Sequence, residues 1–383
     1  MANRFTILKN SKIRYFDSIL FLTVIFLIVF GLVMLLSVSS YDASVNYGDS
    51  AYYFKRQLLN TGVGLVAMLF VALVPYHFWQ RLQVGIYVFS VVLLLLIIPF
   101  GTTVNGAKRW LNVAGISIQP AEVAKLAIII VLSHIICKLG NFINSWKGFV
   151  YVMAPSLPLV FMIYAITRNL SSAIIVLGIA FVMCFVASSE YKRYVFILLV
   201  MIGIAALAVF VVVQNQDSSI GFRGERILAW LDPNAYASGK GFQTLQALYA
   251  IGSGGFMGKG IGESMQKLGY IPEAQNDMIF SIICEELGFV GALCVIALFL
   301  LLIWRCLIIA HNAPDLYGSL LVTGFLTHIA IQVILNIAVV TNTIPNTGIS
   351  LPFISYGGSS VVSLLVEVGL VLSVQKEIKV RDY

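Results

Sequence analysis

Charge is scarce in this 383-residue chain. Asp, Glu, Lys and Arg make up 11% of it, against about 25% in an ordinary soluble domain. That excludes a disordered chain, which stays open through polarity and net charge. It also excludes a normal cytosolic enzyme, whose core needs far more polar surface to cover it. Cysteine is scarce as well. The five are Cys137, Cys184, Cys284, Cys294 and Cys306, with no CxxC pair. Neither a disulfide framework nor a zinc site follows. All five lie in apolar runs and read as small buried hydrophobes.

What the chain has instead is apolar residues. They make up 60% of it, and the mean hydropathy is +0.95. This composition leaves an integral membrane protein. The 24 Lys and Arg outnumber the 17 Asp and Glu, for a net charge of +7. They sit mostly in short gaps between apolar runs. Orientation in a membrane explains them better than a nucleic-acid partner.

A span needs roughly 20 apolar residues. Ten candidates are predicted: Ser18–Ser37, Leu58–Val74, Val84–Phe100, Ala121–Cys137, Phe149–Thr167, Ser171–Ala187, Tyr194–Val213, Met278–Ile303, Tyr317–Val340 and Ser359–Ser373. The fold class is therefore all-α integral membrane, one polytopic domain over residues 1–383 with ten transmembrane helices. The first run is longer than a signal-peptide h-region of about 7–15 residues, so it counts as a helix. An even count puts both termini on one side. That side would carry Arg4, Lys9, Lys12, Arg14, Arg81, Lys138, Lys147, Lys192, Arg193, Arg305, Lys376, Lys379 and Arg381. The short loops opposite carry Lys55, Arg56, Lys108, Arg109 and Arg168. Both termini are predicted cytoplasmic.

One extracellular loop, about 214–276, dominates the outer face, and loops this long usually have a role. Ile227–Leu231, after Arg223 and Arg226, reads as a short interfacial helix ended by Asp232-Pro233. Phe242–Ile251 is apolar but too short to span. Six glycines then fall between Gly252 and Gly262. This pattern predicts a re-entrant segment, viable only where protein or a wet cavity surrounds it. The glycines match neither a Walker A nor a GxGxxG register. No internal repeat supports an inverted-repeat transporter.

Several polar residues stand out against this background. Gln119-Pro120-Ala121-Glu122 opens the fourth helix with ordinary start signals. Lys125 shares a face with Glu122. The pair is either a structural ion pair with Lys125 snorkelling outward or a charged site at the outer surface. Lys108-Arg109-Trp110 is either a bilayer anchor or a phosphate clamp, to which Arg168-Asn169 would add. Asn276 or Asp277 is expected to cap the eighth helix. The alternative for Asp277 is a general base at the membrane surface. Glu285 lies about 12 Å further along the helix, too far for the carboxylate pair of a retaining glycosidase. Glu285, Glu286 and Glu367 are buried polar features in need of partners. His134 and His328 have no second ligand at metal spacing and read as core histidines. His77 and His311 fall near cytoplasmic helix ends, where structural roles suffice. The uncharged stretch Asn346–Ser360 is expected to pack against helix ends and to supply a capping Ser.

Together these pieces resemble the SEDS family, the FtsW/RodA/SpoVE-type proteins of bacterial cell-wall synthesis. The resemblance runs from Gly106-Ala107-Lys108-Arg109-Trp110 to the C-terminus. It is carried by Gln119-Pro120-Ala121-Glu122 with Lys125, Trp230-Leu231-Asp232-Pro233, Pro272-Glu273 through Asp277, Glu285-Glu286-Leu287-Gly288 and Leu351-Pro352-Phe353-Ile354-Ser355-Tyr356-Gly357-Gly358-Ser359-Ser360. Gln266–Glu273 and Leu351-Pro352-Phe353 look more like the FtsW/SpoVE branch than RodA. Two departures stand out. Arg168-Asn169-Leu170-Ser171 replaces the family's usual Pro-Asp-Leu-Gly, so a carboxylate is missing there. Asn276-Asp277-Met278 replaces the usual Thr-Asp-Phe and keeps the Asp.

The resemblance implies an inverting peptidoglycan glycosyltransferase. It would polymerise lipid II on the outer face of the bacterial plasma membrane, for septal or sporulation wall synthesis. Asp277 would be the general base for the acceptor hydroxyl. Lys108, Arg109 and Lys125 would face the leaving pyrophosphate. Glu122, Arg168, Ser355 and Ser359 complete the expected substrate-binding set. A divalent cation, Mg or Mn, could assist, but no ligand cluster in the sequence demands one. The implied partners are lipid II, a class B penicillin-binding transpeptidase, other division or elongation proteins and membrane lipid, with no nucleic acid. Enrichment at the division septum is expected. The rival readings are a lipid II flippase or transporter, a noncatalytic division scaffold and, within the family, a RodA-type elongation polymerase. Charge gathered at outer helix ends, rather than along a midplane path, favours surface chemistry.

Overall fold

The computed structural model describes residues 17–104, 107–113, 116–214, 221–239 and 241–378. The N-terminal basic residues Arg4, Lys9, Lys12 and Arg14, together with Gly106, Lys379 and Arg381, lie outside the described residues, as does the side chain of Arg223. In chain order come α1 (Ser18–Tyr47), α2 (Tyr52–Leu73), α3 (Tyr76–Arg81) and α4 (Gln83–Phe100). The strands β1 (Gly101–Val104), β2 (Ala107–Val113) and β3 (Ile116–Ile118) follow. Next are α5 (Pro120–Leu139), α6 (Trp146–Met153), α7 (Ser156–Thr167), α8 (Leu170–Ala187) and α9 (Tyr191–Gln214). The chain closes with α10 (Gly221–Leu231), α11 (Phe242–Gly254), α12 (Ile279–His311), α13 (Leu316–Val340) and α14 (Gly358–Lys376).

Among the described residues, nine helices are long and apolar enough to cross a membrane. The pair α6 and α7, bent by 43°, makes a tenth if it is one span. The bend falls at Ala154-Pro155, and Pro155 has no N–H to continue the helical ladder. The length of the apolar runs placed these elements well, and most observed helices extend a few residues past the apolar run. The exception to an all-helical chain is local. β1, β2 and β3 form a small antiparallel sheet in the order β1-β2-β3. Its strands, of four, seven and three residues, are too short to register as apolar spans.

Two apolar clusters form the interior. One joins α1, α2, α11, α12, α13 and α14. The other joins α4, α5, α7 and α8. By contrast α9 buries only Arg193 and Tyr194. Backbone meets backbone where α1 crosses the 350s loop. A Cβ on Gly31 would lie 2.5 Å from the Phe353 carbonyl oxygen. The uncharged loop does pack as expected, with Leu351–Ser355 all buried.

Polar pairs tie one end of the bundle together. Asp17 caps α1 through Leu20 N at 3.0 Å and accepts from Arg305 Nε at 2.8 Å. His77 bonds Asp315 at 2.7 Å and lies 3.8 Å from Glu377. The start of α1 and the end of α14 therefore share one end of the bundle with Arg305. In mid-bundle His328 Nδ1 meets Glu367 at 2.9 Å, both fully buried. That supplies the partner that Glu367 needed. The cysteines are free, but Cys294 is exposed and Cys137 half-buried, so burial does not hold for all five. A membrane-facing helix offers apolar surroundings without protein packing.

Candidate functional site

The long loop is built in layers over one end of α12 and α13. The expected short helix is present as α10, and the apolar stretch after it as α11. Trp230 Nε1 on α10 donates to the Asn342 carbonyl at 3.0 Å, and Asn342 Nδ2 returns a bond to the Trp230 carbonyl at 3.2 Å. The glycine-rich turn then crosses α12. Lys259 N and Gly260 N donate to the Glu285 and Glu286 carbonyls, while Phe289 N and Val290 N donate to the Gly255 and Phe256 carbonyls. Such pairing needs the helix to open. Gly288 sits at φ 68°, a left-handed conformation that glycine adopts without steric cost.

The same crossing gives Glu285 and Glu286 their partners. Lys259 Nζ lies 2.6 Å from Glu285, and Ser253 also donates to that carboxylate. Lys267 Nζ lies 2.8 Å from Glu286, which accepts from Ser37 Oγ at 2.7 Å. Both carboxylates are fully buried. Sequence reading missed these pairs because Lys259 and Lys267 stand far from Glu285 and Glu286 along the chain.

Asp277 lies just before α12, at the mouth of this layer. Neither Asn276 nor Asp277 caps the helix, contrary to the sequence expectation. The N-cap is Met278, with no side-chain bond, and Asn276 Nδ2 turns to Glu273 at 3.1 Å. The Asp277 carboxyl is thus left for other work. It is half-buried, with Oδ2 3.7 Å from where a Cβ on Gly348 would stand. Loss of hydration raises its pKa to about 7. Its own backbone N–H and Arg226 pull the other way, and Glu273 pushes with the burial.

Arg226 Nη1 bonds the Asn346 carbonyl at 3.2 Å, which brings α10 to the same corner. Arg109 stands on β2. Its Nε contacts the Thr167 carbonyl at 3.3 Å beside Arg168. Burial weakens its hold on the proton, while Glu273 strengthens it. Asp277, Glu273, Arg109 and Arg226 thus share one electrostatic neighbourhood. Arg168 is exposed, in left-handed conformation at the end of α7. Asn169 next to it caps α8 through Ser172 N at 3.1 Å, a job that the missing carboxylate could also do.

The remaining expected site residues are placed differently. Lys108 is exposed, and its Nζ donates to the Ile98 carbonyl at 2.9 Å. Lys125 does not snorkel outward. It is 1% exposed and pairs with Glu122 at 2.8 Å inside the bundle. The helices around α5 close over its stem, so no outward path exists. Ser359 Oγ accepts from Gln119 N at 3.1 Å, so it serves the start of α5. It does not cap its own helix, whose N-cap is Gly357. Ser360 Oγ reaches Glu122 Oε2 at 3.4 Å. Ser355 is buried, and its hydroxyl accepts from Leu351 N at 2.7 Å. The loop from Asn346 to Gly357 links this Glu122–Lys125 corner to Asp277. Among the described residues no group of three or more His, Cys, Asp or Glu side chains is gathered as a metal site.

This arrangement is shared. The cell cycle protein family of FtsW, RodA and SpoVE matches residues 17–380. The chain belongs to that family. It is 40% identical to stage V sporulation protein E of Bacillus subtilis, over 94% of this chain and 97% of the relative. It is 37% identical to a probable peptidoglycan glycosyltransferase FtsW of Trichlorobacter lovleyi, over 97% of this chain and 96% of the relative. Among solved structures it superposes on a chain of a peptidoglycan synthase complex that coordinates polymerization and crosslinking. That match has TM-score 0.77 and 28% identity, covering 95% of this chain and 98% of the other. It also superposes on the rod shape determining protein RodA of Thermus thermophilus, with TM-score 0.67 and 26% identity, over 95% and 97% of the two chains. FtsW and SpoVE relatives stand together among these matches, as the branch motifs suggested. The FtsW/RodA/SpoVE fold is a multi-pass membrane protein here, in keeping with the helix count.

Proposed function

We propose that this chain is a peptidoglycan glycosyltransferase that polymerises lipid II, with Asp277 as its general base. The supporting observation is the carboxyl of Asp277, released from capping, with Arg226 of α10 acting on it and Glu273 linking it to Arg109 of β2. A base must hold the acceptor hydroxyl's proton as C1 of the donor sugar transfers with inversion. A pKa near the working pH suits that task. The departing lipid pyrophosphate gains negative charge, which Arg226 beside Asp277 and Arg109 beside Glu273 could meet. Lys125 has its charge matched by Glu122, so its part is to hold the α5 corner where Ser359 and Ser360 meet it. Lys108 and Arg168, both exposed, suit a lipid phosphate at the rim.

The site end of the bundle is assigned to the outer face, which puts both termini in the cytoplasm. The turn after α11 then re-enters the membrane beside α12, with Lys259 paired to Glu285 and its backbone bonded to α12. Such pairing is what lets irregular backbone persist at that depth. A crosslinking enzyme is the fitting partner, specifically a single-span class B penicillin-binding protein, with enrichment at the septum.

The test is polymerisation of labelled lipid II by the purified chain, with and without the partner, in the presence of moenomycin. A glycan ladder that vanishes in Asp277→Asn supports the reading. A ladder retained in that variant removes Asp277 as the base. No ladder from folded protein with its partner favours a flippase or scaffold.

A further inference from the structure

The face of α13 turned towards the site carries two buried amides. Gln332 and Asn336 are four residues apart, so they lie one above the other on the helix. Asn336 is fully buried, and its Nδ2 donates twice. One hydrogen goes to the Asp277 carbonyl at 2.8 Å and the other to the Ile349 carbonyl at 2.7 Å. Gln332 Nε2 donates to the Ser350 carbonyl at 3.0 Å, in the same loop. One side chain thus fixes the spacing between the segment carrying Asp277 and the segment carrying Gly348.

Helix geometry makes that bond necessary. Ser281 N bonds the Met278 carbonyl at 3.0 Å, so that N–H does not serve the Asp277 carbonyl. Without Asn336 that half-buried carbonyl would lose its side-chain donor. A planar amide bonded at both hydrogens also resists rotation. It therefore sets where the following turn begins and which way the Asp277 side chain leaves the backbone.

We propose that Asn336 is a positioning residue of the polymerase, holding Asp277 against Gly348 through the two backbone carbonyls. This rests on Asp277 being the base. The charged groups that face Asp277 are Glu273 from its own turn and Arg226 from α10, with Arg109 of β2 acting on Glu273. The Asn336 amide is neutral, so replacing it with an apolar side chain takes no charge from this set. The replacement loosens the Asp277 segment and lets water reach the carboxyl. Its proton affinity then falls towards that of an ordinary carboxyl.

The experiment compares wild type, Asn336→Leu, Gln332→Leu and Asp277→Asn as purified full-length protein. Initial lipid II polymerisation rates are measured from pH 5 to 9, with thermal unfolding alongside. For Asn336→Leu the expected kcat loss is between about tenfold and a hundredfold at little change in KM, the penalty of a misplaced group. The acid limb of its pH profile should move down by about one unit or more. Gln332→Leu grips only the loop, so it should lower the unfolding temperature and leave the limb in place. A rate loss that only tracks lost folded protein, with the limb unmoved, would overturn the proposal. So would wild-type kinetics in Asn336→Leu when Asp277→Asn is inactive. Activity in Asp277→Asn would remove the base itself, and this proposal with it. If Asn336→Leu does not fold, the smaller, uncharged Asn336→Ala is read by the same criteria.

Discussion

Polymerisation should depend steeply on pH near neutrality. Asp277 has its pKa raised from 3.8 to about 7. With a pKa of about 7, roughly 9% of the carboxyls are ionised at pH 6 and roughly 91% at pH 8. The rate should therefore rise about tenfold across that interval if the carboxylate is the base. An unshifted carboxyl would be almost fully ionised at pH 6 and give a flat profile. The neighbours provide an internal check. Arg226 favours the charged form, so Arg226→Gln should move the acid limb to higher pH. Glu273 disfavours it, so Glu273→Gln should move the limb to lower pH. The folded pKa lies above the unfolded one, so folded protein binds more protons between about pH 4 and 7. This group's stability contribution is complete below pH 3.8 and falls as pH rises through about 7. The loss is at most about 4 kcal/mol at about 1.36 kcal/mol per unit, and less because the side chain keeps part of its surface open. Initial rates with labelled lipid II in matched buffers give the profile, and thermal unfolding gives the stability slope. A flat profile from pH 5.5 to 8, or both variants shifting the limb the same way, would refute the reasoning.

Other consequences follow from the same contacts. Lys259→Met leaves the buried Glu285 without its cation and should cost about 3–5 kcal/mol, seen as a lower unfolding temperature. Adding Glu285→Leu should recover much of that loss, since the apolar pair leaves no orphaned charge. Gly31→Ala drives a Cβ into the Phe353 carbonyl and should cost about 1–3 kcal/mol through overpacking. Arg109→Ala should lower kcat more than it raises KM if Arg109 meets charge that develops on the leaving group. Rates over a range of lipid II concentrations separate the two.

The spans were legible because a bilayer demands long apolar runs, and such runs exist only where helices cross. Residue order alone therefore determined the membrane class, and the helix count as far as the bent pair α6 and α7 allows. It also placed α10 and α11 within the long loop, since apolar stretches there were too short to span. The motif order around Glu122, Asp277 and Ser355 identified the family. What the residues alone left open was which reading of each polar group applies. Glu122 with Lys125 allowed a structural ion pair with an outward lysine or a charged site at the outer surface, and packing around α5 buries the pair instead. Asp277 had an equally good reading as a cap. That role failed because α12 begins at Ile279, which makes Met278 the N-cap.

Tertiary structure also decided every partnership over long sequence distance. Ser37 meets Glu286 across 249 positions, and Asn336 meets Asp277 across 59. No periodicity encodes such meetings. They arise when apolar helices pack and each buried polar group, unable to reach water, must settle on the partner the packing brings.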